Sequence, residues 1–121
     1  MNILIVDDSN LSRKLFINRI PESIKKNSSI IQGANGKEAV ALYKEHRPDI
    51  VFLDLTMPVM DGYEALDLII AYDKNACVYI ITADIQKKAQ EKVLSSGAVA
   101  LETKPIDEKR LAEIFSCIKQ D

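Results

Sequence analysis

The amino-acid sequence predicts an α/β fold: a doubly wound, five-stranded parallel sheet with strand order 2-1-3-4-5 and helices on both faces. Two observations predict this fold class. Five short apolar runs alternate with segments in which apolar residues recur at helical spacing. One run, Ile50–Asp54, stays apolar until it ends in a carboxylate, as expected for a buried parallel strand at the centre of the sheet.

Strands are predicted where an apolar run ends at a turn signal or at a polar residue. The second run has mixed polarity, which indicates a strand at a sheet edge, and the order 2-1-3-4-5 places it there. The predicted strands are residues 2–6, 28–32, 50–54, 76–81 and 98–103.

Each strand is followed by a predicted helix. Asn35 and Gly36 start the second helix. Pro21 ends or kinks the first helix, so residues 21–27 are expected to be a frayed helix end and a loop. Gly97 suits a left-handed end of the fourth helix. The capping candidates of the other helices are Asp8 or Ser9, Asp61, Asp84 and Asp107. The apolar stripes are Leu11, Leu15 and Phe16; Ala39, Val40 and Tyr43; Leu66, Ile69 and Ile70; Ile85, Ala89 and Val93; and Leu111, Ile114, Phe115 and Ile118.

Composition limits the range of functions. The chain has 121 residues and a formal net charge of −2, so we expect one domain, 1–121, without the basic excess of a nucleic-acid-binding surface. No apolar run reaches the ~20 residues that cross a bilayer, and the first residues lack a signal-peptide pattern. Cys77 and Cys117 fit no metal or redox spacing, which is typical of reduced thiols in a cytoplasmic protein. No separate output domain and no membrane contact are expected.

Polar residues fall at the same end of successive predicted strands. They close or follow strands one, three, four and five: Asp7 and Asp8, Asp54, Thr82, and Lys104. These strands are neighbours in the order 2-1-3-4-5, and ligands of open α/β sheets bind at the carboxyl ends of strands. One pocket can therefore hold three carboxylates, a hydroxyl and an ammonium group.

Three carboxylates in one pocket are costly unless a cation joins them. Two like charges ~4 Å apart repel by about 4 kcal/mol at an effective dielectric constant of about 20. Carboxylate oxygens beside water suit Mg²⁺, which keeps open positions for a phosphate. Asp54 is then a candidate nucleophile that would form an aspartyl phosphate. Lys104 would balance charge on the phosphoryl oxygens, and the Thr82 hydroxyl would reach one of them.

Six motifs together resemble the receiver domain of bacterial two-component response regulators. They occur in the family's order and spacing and span nearly the whole chain. The motifs are Leu4-Ile5-Val6-Asp7-Asp8-Ser9, Leu53-Asp54-Leu55-Thr56-Met57-Pro58, Met60-Asp61-Gly62, Ile81-Thr82-Ala83, Gly97-Ala98 and Lys104-Pro105. The resemblance implies a flavodoxin-like fold, and the strand order 2-1-3-4-5 rests partly on it. It also implies a single-domain protein similar to chemotaxis response regulators.

The resemblance implies that Asp54 is the phosphoacceptor. Asp7, Asp8 and Asp54 would hold Mg²⁺ together with the backbone carbonyl of Thr56. The donor would be the phosphohistidine of a sensor histidine kinase or phosphotransfer protein, or a small phosphodonor. Such a protein is a phosphoacceptor that assists its own phosphorylation and dephosphorylation, rather than an enzyme.

Further positions follow from the same resemblance. Thr82, Ala83 and Lys104 match the phosphoryl-binding and switch positions of the family. Thr56 and Asp84 match positions whose side chains govern how easily water reaches the phosphoryl group, and they would tune dephosphorylation.

Positions 101 and 102 depart from the family pattern. The family usually has Tyr or Phe at the first, where this chain has Leu101, so the switch position is altered and no aromatic side chain can swing there. Glu102 occupies a position that is usually apolar. A buried unpaired carboxylate is costly, so we expect Glu102 to point outward at the sheet edge. Output is then expected to rely on movement of the loop 83–87.

The resemblance also implies a surface for a downstream protein. The face formed by the predicted fourth helix, fifth strand and fifth helix is the family's common contact surface. Lys87, Lys88 and Lys92 give the fourth helix a charged face that could meet an acidic partner. The partner itself is not identified by the sequence.

Other functions stay open on the residues alone. A degenerate receiver would bind partners without phosphorylation; the acidic pocket argues against it, whereas Leu101 and Glu102 keep it possible. A nucleotide- or flavin-binding protein of similar fold would need a Gly- or hydroxyl-rich loop after the first strand, where Asp7 and Asp8 would repel phosphate. An aspartyl phosphatase commonly carries a second acid two residues after its nucleophile, where this chain has Thr56.

Overall fold

The structure is a computed structural model that describes residues 1–83 and 86–118. Its strands are β1 (Asn2–Val6), β2 (Ser29–Gly33), β3 (Ile50–Asp54), β4 (Val78–Thr82) and β5 (Ala100–Thr103). They form one parallel sheet in the order β2-β1-β3-β4-β5. The predicted α/β fold and its strand order are therefore confirmed.

The fourth and fifth strands begin later than predicted because nearby turns use the preceding backbone groups. The Ala76 N–H donates to the Asp73 carbonyl oxygen at 3.0 Å, in a turn before β4. The Ala98 N–H donates to the Val93 carbonyl oxygen at 3.0 Å, which closes the end of the preceding helix. Gly97 has φ of +109° there, so its predicted left-handed conformation is confirmed.

The helices are α1 (Asn10–Arg19), α2 (Glu22–Lys25), α3 (Gly36–His46), α4 (Gly62–Tyr72), α5 (Lys87–Ser95) and α6 (Glu108–Ser116). The short α2 corrects the expectation of a frayed end and loop over residues 21–27. The N–H groups of Ile24 and Lys25 both donate to the Pro21 carbonyl oxygen, at 2.9 and 3.0 Å, which closes a helical turn. The second to fifth predicted helices are thus α3 to α6. None of these helices has the length and apolar character needed to cross a membrane.

Side-chain hydrogen bonds cap four helices as predicted. The capping residues, each accepting from the N–H three residues later, are Ser9, Asn35, Asp61 and Asp107. Ser9 rather than Asp8 therefore caps α1. Gln86 precedes α5 and makes no side-chain cap bond. The predicted cap Asp84 and the predicted stripe residue Ile85 lie outside the described residues.

The alternation of side chains along the strands divides the core into two layers. On one face, α1 and α6 pack on residues that include Ile5 and Phe52. On the other face, α3, α4 and α5 pack on residues that include Leu4 and Leu53. Because side chains two positions apart share a face, Asp54 emerges at the edge of the layer made by α1 and α6.

Helix α1 buries only part of its predicted apolar stripe. Leu11 and Leu15 are 66% and 43% exposed, whereas Phe16 and Ile20 are buried. Leu11 and Leu15 are four residues apart, and so are Phe16 and Ile20. Helical periodicity therefore cannot decide which of the two pairs faces the core. Arg13, a charged residue of the same helix, is also buried.

Two glycines hold the loop from β3 to α4 against the end of the sheet. The Gly62 N–H donates to the Leu55 carbonyl oxygen, and the Gly36 N–H donates to the Met60 carbonyl oxygen, both at 2.9 Å. A Cβ at Gly62 would lie 2.2 Å from the Asp54 carbonyl oxygen. Only glycine permits this approach, so the loop that follows Asp54 depends on it.

The same loop carries backbone strain at Val59. Its φ is +68°, a left-handed conformation that costs roughly 1–2 kcal/mol for an L-residue and is rare for a β-branched one. Its side chain is 78% exposed and gains little packing in return. The backbone contacts on both sides of Val59 hold it in place.

Gly62→Ala should lower the free energy of unfolding by about 1–3 kcal/mol, because the added Cβ collides with the backbone of Asp54 and Leu55. Urea unfolding followed by circular dichroism measures the change. Gly33→Ala is the matched control, since its Cβ would meet its nearest neighbour, Leu42 Cδ1, at an ordinary 3.4 Å. Equal destabilisation by the two substitutions would contradict the proposed dependence of the loop on Gly62.

Candidate functional site

Three carboxylates meet at the C-terminal edge of the sheet. Asp7 and Asp8 follow β1, and Asp54 ends β3, the strand that pairs with β1. Each offers an oxygen within 4.8 Å of the others. Asp7 and Asp54 are each 6% exposed, while Asp8 is open to solvent. The structure thus brings together the three acids that the strand-end pattern grouped.

Lys104 lies between two of these acids. Its Nζ donates to Asp7 Oδ2 at 2.6 Å and to Asp54 Oδ2 at 3.2 Å. Its backbone N–H donates to the carbonyl oxygen of the buried Thr82 at 2.8 Å, which ties the end of β5 to the end of β4. The Lys104–Pro105 peptide bond is cis. The ammonium group and the Thr82 strand end therefore belong to the same site as the acids.

The two buried acids have pKa values shifted in opposite directions. Burial raises the pKa of Asp54, and the attraction and hydrogen bond of Lys104 only partly offset it. Burial also raises the pKa of Asp7, but the hydrogen bonds from Lys104 and from the Ser9 N–H outweigh it, so this pKa is lowered. The pKa of Lys104 is raised because its two carboxylate partners outweigh its own burial. Asp7 is thus held in its charged form, whereas Asp54 resists ionisation.

The chemistry of this donor set suits a hard divalent cation. Three carboxylates and one ammonium group leave two negative charges uncompensated. All candidate ligand atoms are carboxylate oxygens, and the exposed Asp8 leaves room for the water molecules that Mg²⁺ keeps. The residues present therefore fit Mg²⁺.

Arg13 is a residue of this region that sequence reasoning missed. Its guanidinium group donates to the Asp7 carbonyl oxygen, to the Asn10 side-chain oxygen and, at 2.9 Å, to Gln32 Oε1. It therefore joins the end of β1, the start of α1 and β2. Its position next to Lys14 in a charged stretch of the sequence gave no signal of this role.

The expectation that Glu102 points outward at the sheet edge is wrong. Its side chain is 14% exposed and makes two hydrogen bonds of 2.8 Å with Arg110 on α6. A bidentate arginine pair supplies the compensation that a half-buried carboxylate needs. These hydrogen bonds raise the pKa of Arg110, and burial offsets them only in part. Sequence reasoning missed the pair because Glu102 and Arg110 meet only through tertiary packing.

The remaining predicted positions are more dispersed. Leu101 is half-buried and packs against the layer of α3, α4 and α5. Thr56 and Ala83 are exposed near the strand ends, and the Thr56 N–H donates to the Asp54 carboxylate. Asp84 lies outside the residues that the structure describes. The basic positions of α5 are exposed as predicted: Lys87, Lys88 and Lys92.

Comparison with known proteins assigns the family. Residues 3–116 match the model of the response regulator receiver domain, so the chain belongs to this family. It is a CheY-like two-component signalling domain. Receiver domains of this family are phosphoacceptors that bind Mg²⁺ at an acidic pocket, and this chain places Asp7, Asp8 and Asp54 together.

Individual relatives cover nearly the whole chain. The chemotaxis protein CheY of Listeria monocytogenes is 38% identical over 113 residues, which are 93% of each chain. The protein CcdB of Bacillus subtilis is 36% identical over 116 residues, 94% of this chain and 93% of CcdB. A chain of the CheX–CheY–BeF3–Mg²⁺ complex from Borrelia burgdorferi superimposes with a TM-score of 0.87 at 36% identity, covering 99% of this chain and 90% of that chain.

We expect Asp54→Asn to raise the free energy of unfolding at pH 7 in the absence of divalent cations. Because the pKa of Asp54 is raised, the folded protein binds a proton at this carboxyl more tightly than the unfolded chain does. The free energy of unfolding of the wild type therefore falls as the pH rises above the unfolded pKa of about 3.9. The advantage of the variant should therefore shrink below that pH, where the carboxyl is protonated in both states.

Urea unfolding of both proteins in EDTA, at pH values from 3 to 7, measures this difference. Asp67→Asn replaces an exposed acid of α4 and is the matched control, expected to leave the pH profile unchanged. Parallel pH profiles of wild type and Asp54→Asn would refute the ionisation cost at Asp54.

Arg13→Gln and Arg13→Lys should both weaken Mg²⁺ binding by about tenfold, because each removes the planar fork that holds the Asp7 carbonyl and the start of α1. A purely electrostatic Arg13 would have a different effect: Arg13→Gln would tighten binding by removing a positive charge, and Arg13→Lys would change nothing. Calorimetric titration with Mg²⁺ separates the two roles, and Lys14→Gln, an exposed neighbour, is the charge-matched control.

Proposed function

We propose that Asp54 accepts a phosphoryl group in a Mg²⁺-dependent transfer and that this modification changes how the protein binds a downstream partner. The observation that carries the proposal is the placement of Asp54, whose carboxylate lies within 4.8 Å of two further carboxylates and 3.2 Å from the Lys104 ammonium. The donor would be the phosphohistidine of a sensor histidine kinase or phosphotransfer protein, or a small phosphodonor.

The transfer needs little from the protein beyond positioning and charge. An Asp54 carboxylate oxygen forms the new bond to phosphorus while the bond from phosphorus to the donor atom breaks, and the donor leaves with the electron pair. Lys104, already hydrogen bonded to Asp54, neutralises charge on the phosphoryl oxygens. A bound Mg²⁺, held by Asp7, Asp8, Asp54 and the carbonyl of Thr56, would supply further neutralisation of those oxygens. Asp7 suits such a ligand because its lowered pKa keeps it ionised.

We further propose that the state of Asp54 is read through the end of β4. Thr82 would turn its hydroxyl to the phosphoryl group, and Ala83 would supply a contact beside it. Leu101 is aliphatic and half-buried, so an aromatic switch has no counterpart at this position. Movement of the connection between β4 and α5 would carry the signal instead. Thr56 and Asp84 are the proposed positions that set the lifetime of the phosphoryl group.

The face made by α5, β5 and α6 is the proposed contact surface for a downstream protein. Leu94 and Val99 contribute exposed apolar side chains, 43% and 50% exposed, and α5 adds its exposed lysines. The Glu102–Arg110 pair ties the strand of this face to one of its helices. The Borrelia burgdorferi CheY was crystallised in complex with CheX, which supports a protein partner. A cytoplasmic location remains a prediction.

A degenerate receiver that binds its partner without phosphorylation is the second candidate. The observation in its favour is that two side chains of β5 are held in place: Leu101 packs inward and Glu102 is hydrogen bonded to Arg110. The two functions differ in whether Asp54 takes up a phosphoryl group at all.

We expect incubation with Mg²⁺ and acetyl phosphate to add one phosphoryl group to the wild-type protein, visible by intact-mass spectrometry. The group should be absent after chelation of Mg²⁺ with EDTA and absent from Asp54→Asn. Lys104→Gln should slow the transfer by about 10²-fold or more, since it removes a charge aimed at the phosphoryl oxygens.

Asp67→Asn, which changes an exposed acid outside the pocket, should be phosphorylated at the wild-type rate. An unmodified wild-type protein would refute the proposal and favour the degenerate receiver. An equal adduct on Asp54→Asn would place the modification on another residue.

A further inference from the structure

A groove opens from the acidic site and runs between α1 and the connection from β5 to α6. Its volume is about 380 Å³, which is room for roughly a dozen water-sized groups. Its floor is formed by side chains of β1, β3 and β4: Ile5, Phe52 and Ile81. Its walls include Leu15 and Phe16 of α1 and Ile106 of the connection. The groove is therefore apolar over most of its length.

Two acids and a lysine of the groove lie together at one end, and Ser12, Arg13 and Arg19 of α1 also line the groove. Asp7, Asp54 and Lys104 line it where it meets the sheet edge. An apolar cleft of a few hundred Å³ with convergent polar groups at one end is the usual form of a small-molecule site. A matching ligand carries an anionic head that Lys104 and a divalent cation attract, and an apolar body that the groove covers.

We propose that this groove binds the acyl chain of an acyl phosphate, so that Asp54 takes phosphoryl groups preferentially from acyl phosphates with apolar tails of several carbons. The inference rests on the proposed function of Asp54 and names the class of small donor that it accepts. The methyl group of acetyl phosphate would fill only a small part of about 380 Å³, whereas a chain of four to six carbons would cover Leu15 and Ile106.

The transfer is balanced without any further reactant. An Asp54 carboxylate oxygen forms a bond to phosphorus, and the bond between phosphorus and the acyl oxygen breaks. The acyl group leaves as its carboxylate with the electron pair of that bond, so no proton needs to move. The products are the phosphorylated Asp54 and a free carboxylate.

The test is a series of straight-chain donors: acetyl, butyryl and hexanoyl phosphate with Mg²⁺. Their leaving carboxylates have nearly the same basicity, so differences in rate report binding of the chain. Each fully buried methylene should contribute about fourfold to the second-order rate constant. We therefore expect at least a tenfold rise from acetyl to hexanoyl phosphate, measured by intact mass at early times.

Two leucines of equal exposure provide a matched pair of variants. Leu15 lines the groove and is 43% exposed, whereas Leu68 on α4 is 42% exposed and is not among the groove residues. Leu15→Gln should flatten the dependence on chain length, and Leu68→Gln should keep it. The wild-type series decides the question even if Leu15→Gln folds poorly. Hexylphosphonate with Mg²⁺, which cannot transfer its phosphoryl group, should shift the methyl resonances of Leu15 and Ile106 more than methylphosphonate does.

The outcomes separate the two levels of the proposal. No adduct with any donor refutes the proposed function itself. An adduct that forms equally fast with all three donors leaves that function standing and overturns the groove as an acyl site. A chain-length dependence that is the same in Leu15→Gln and wild type also overturns it. If Leu15→Gln impairs transfer only from a phosphohistidine protein, the groove belongs to a protein donor and the inference is wrong.

Discussion

The ammonium group of Lys104 makes it possible for two carboxylates to be nearly buried side by side. Asp7 and Asp54 are each 6% exposed, and each would repel the other without the cation between them. Lys104 Nζ lies closer to Asp7 Oδ2, at 2.6 Å, than to Asp54 Oδ2, at 3.2 Å. The closer contact and the Ser9 N–H lower the pKa of Asp7, while burial dominates at Asp54 and raises its pKa. The pocket therefore holds one carboxyl group, Asp7, that favours its charged form and one, Asp54, that resists ionisation.

The scaffold determines where these groups stand. Pairing of β1 with β3 sets Val6 beside Leu53, so the acids that follow both strands emerge together at the edge of the layer formed by α1 and α6. The loop after Asp54 is then drawn back over the sheet end by the hydrogen bonds of Gly62 and Gly36. Val59 keeps its costly left-handed backbone because both of these contacts constrain it. The position of the loop after Asp54 thus depends on backbone hydrogen bonds of two glycines and not on charged side chains.

Sequence patterns predicted the features that depend on neighbouring residues or on the common direction of the parallel strands. The caps at Ser9, Asn35, Asp61 and Asp107 follow from capping chemistry, and the convergence of Asp7, Asp54 and Lys104 follows from the common direction of parallel strands. The strand order was drawn partly from the family resemblance. Features fixed by tertiary contacts were not predictable in this way. The buried Arg13 and the pairing of Glu102 with Arg110 join residues from different elements. The inner face of α1 was ambiguous because Leu11 and Leu15 repeat at the same spacing as Phe16 and Ile20.

The way β5 is held bears on the proposed route from the site to the surface. Leu101 packs on one face of the sheet and Glu102 is bound by Arg110 on the other, so neither side chain is free to swing. The remaining link is backbone: the Lys104 N–H donates to the Thr82 carbonyl oxygen at 2.8 Å, which joins the hydroxyl-bearing strand end to the lysine of the site. We infer that a shift of Thr82 towards a phosphoryl group would pull on the connection that follows Lys104. That connection carries Ile106, a wall of the apolar groove. Phosphorylation would then change the shape of the groove that we propose as an acyl site, through the hydrogen bond between Lys104 and Thr82.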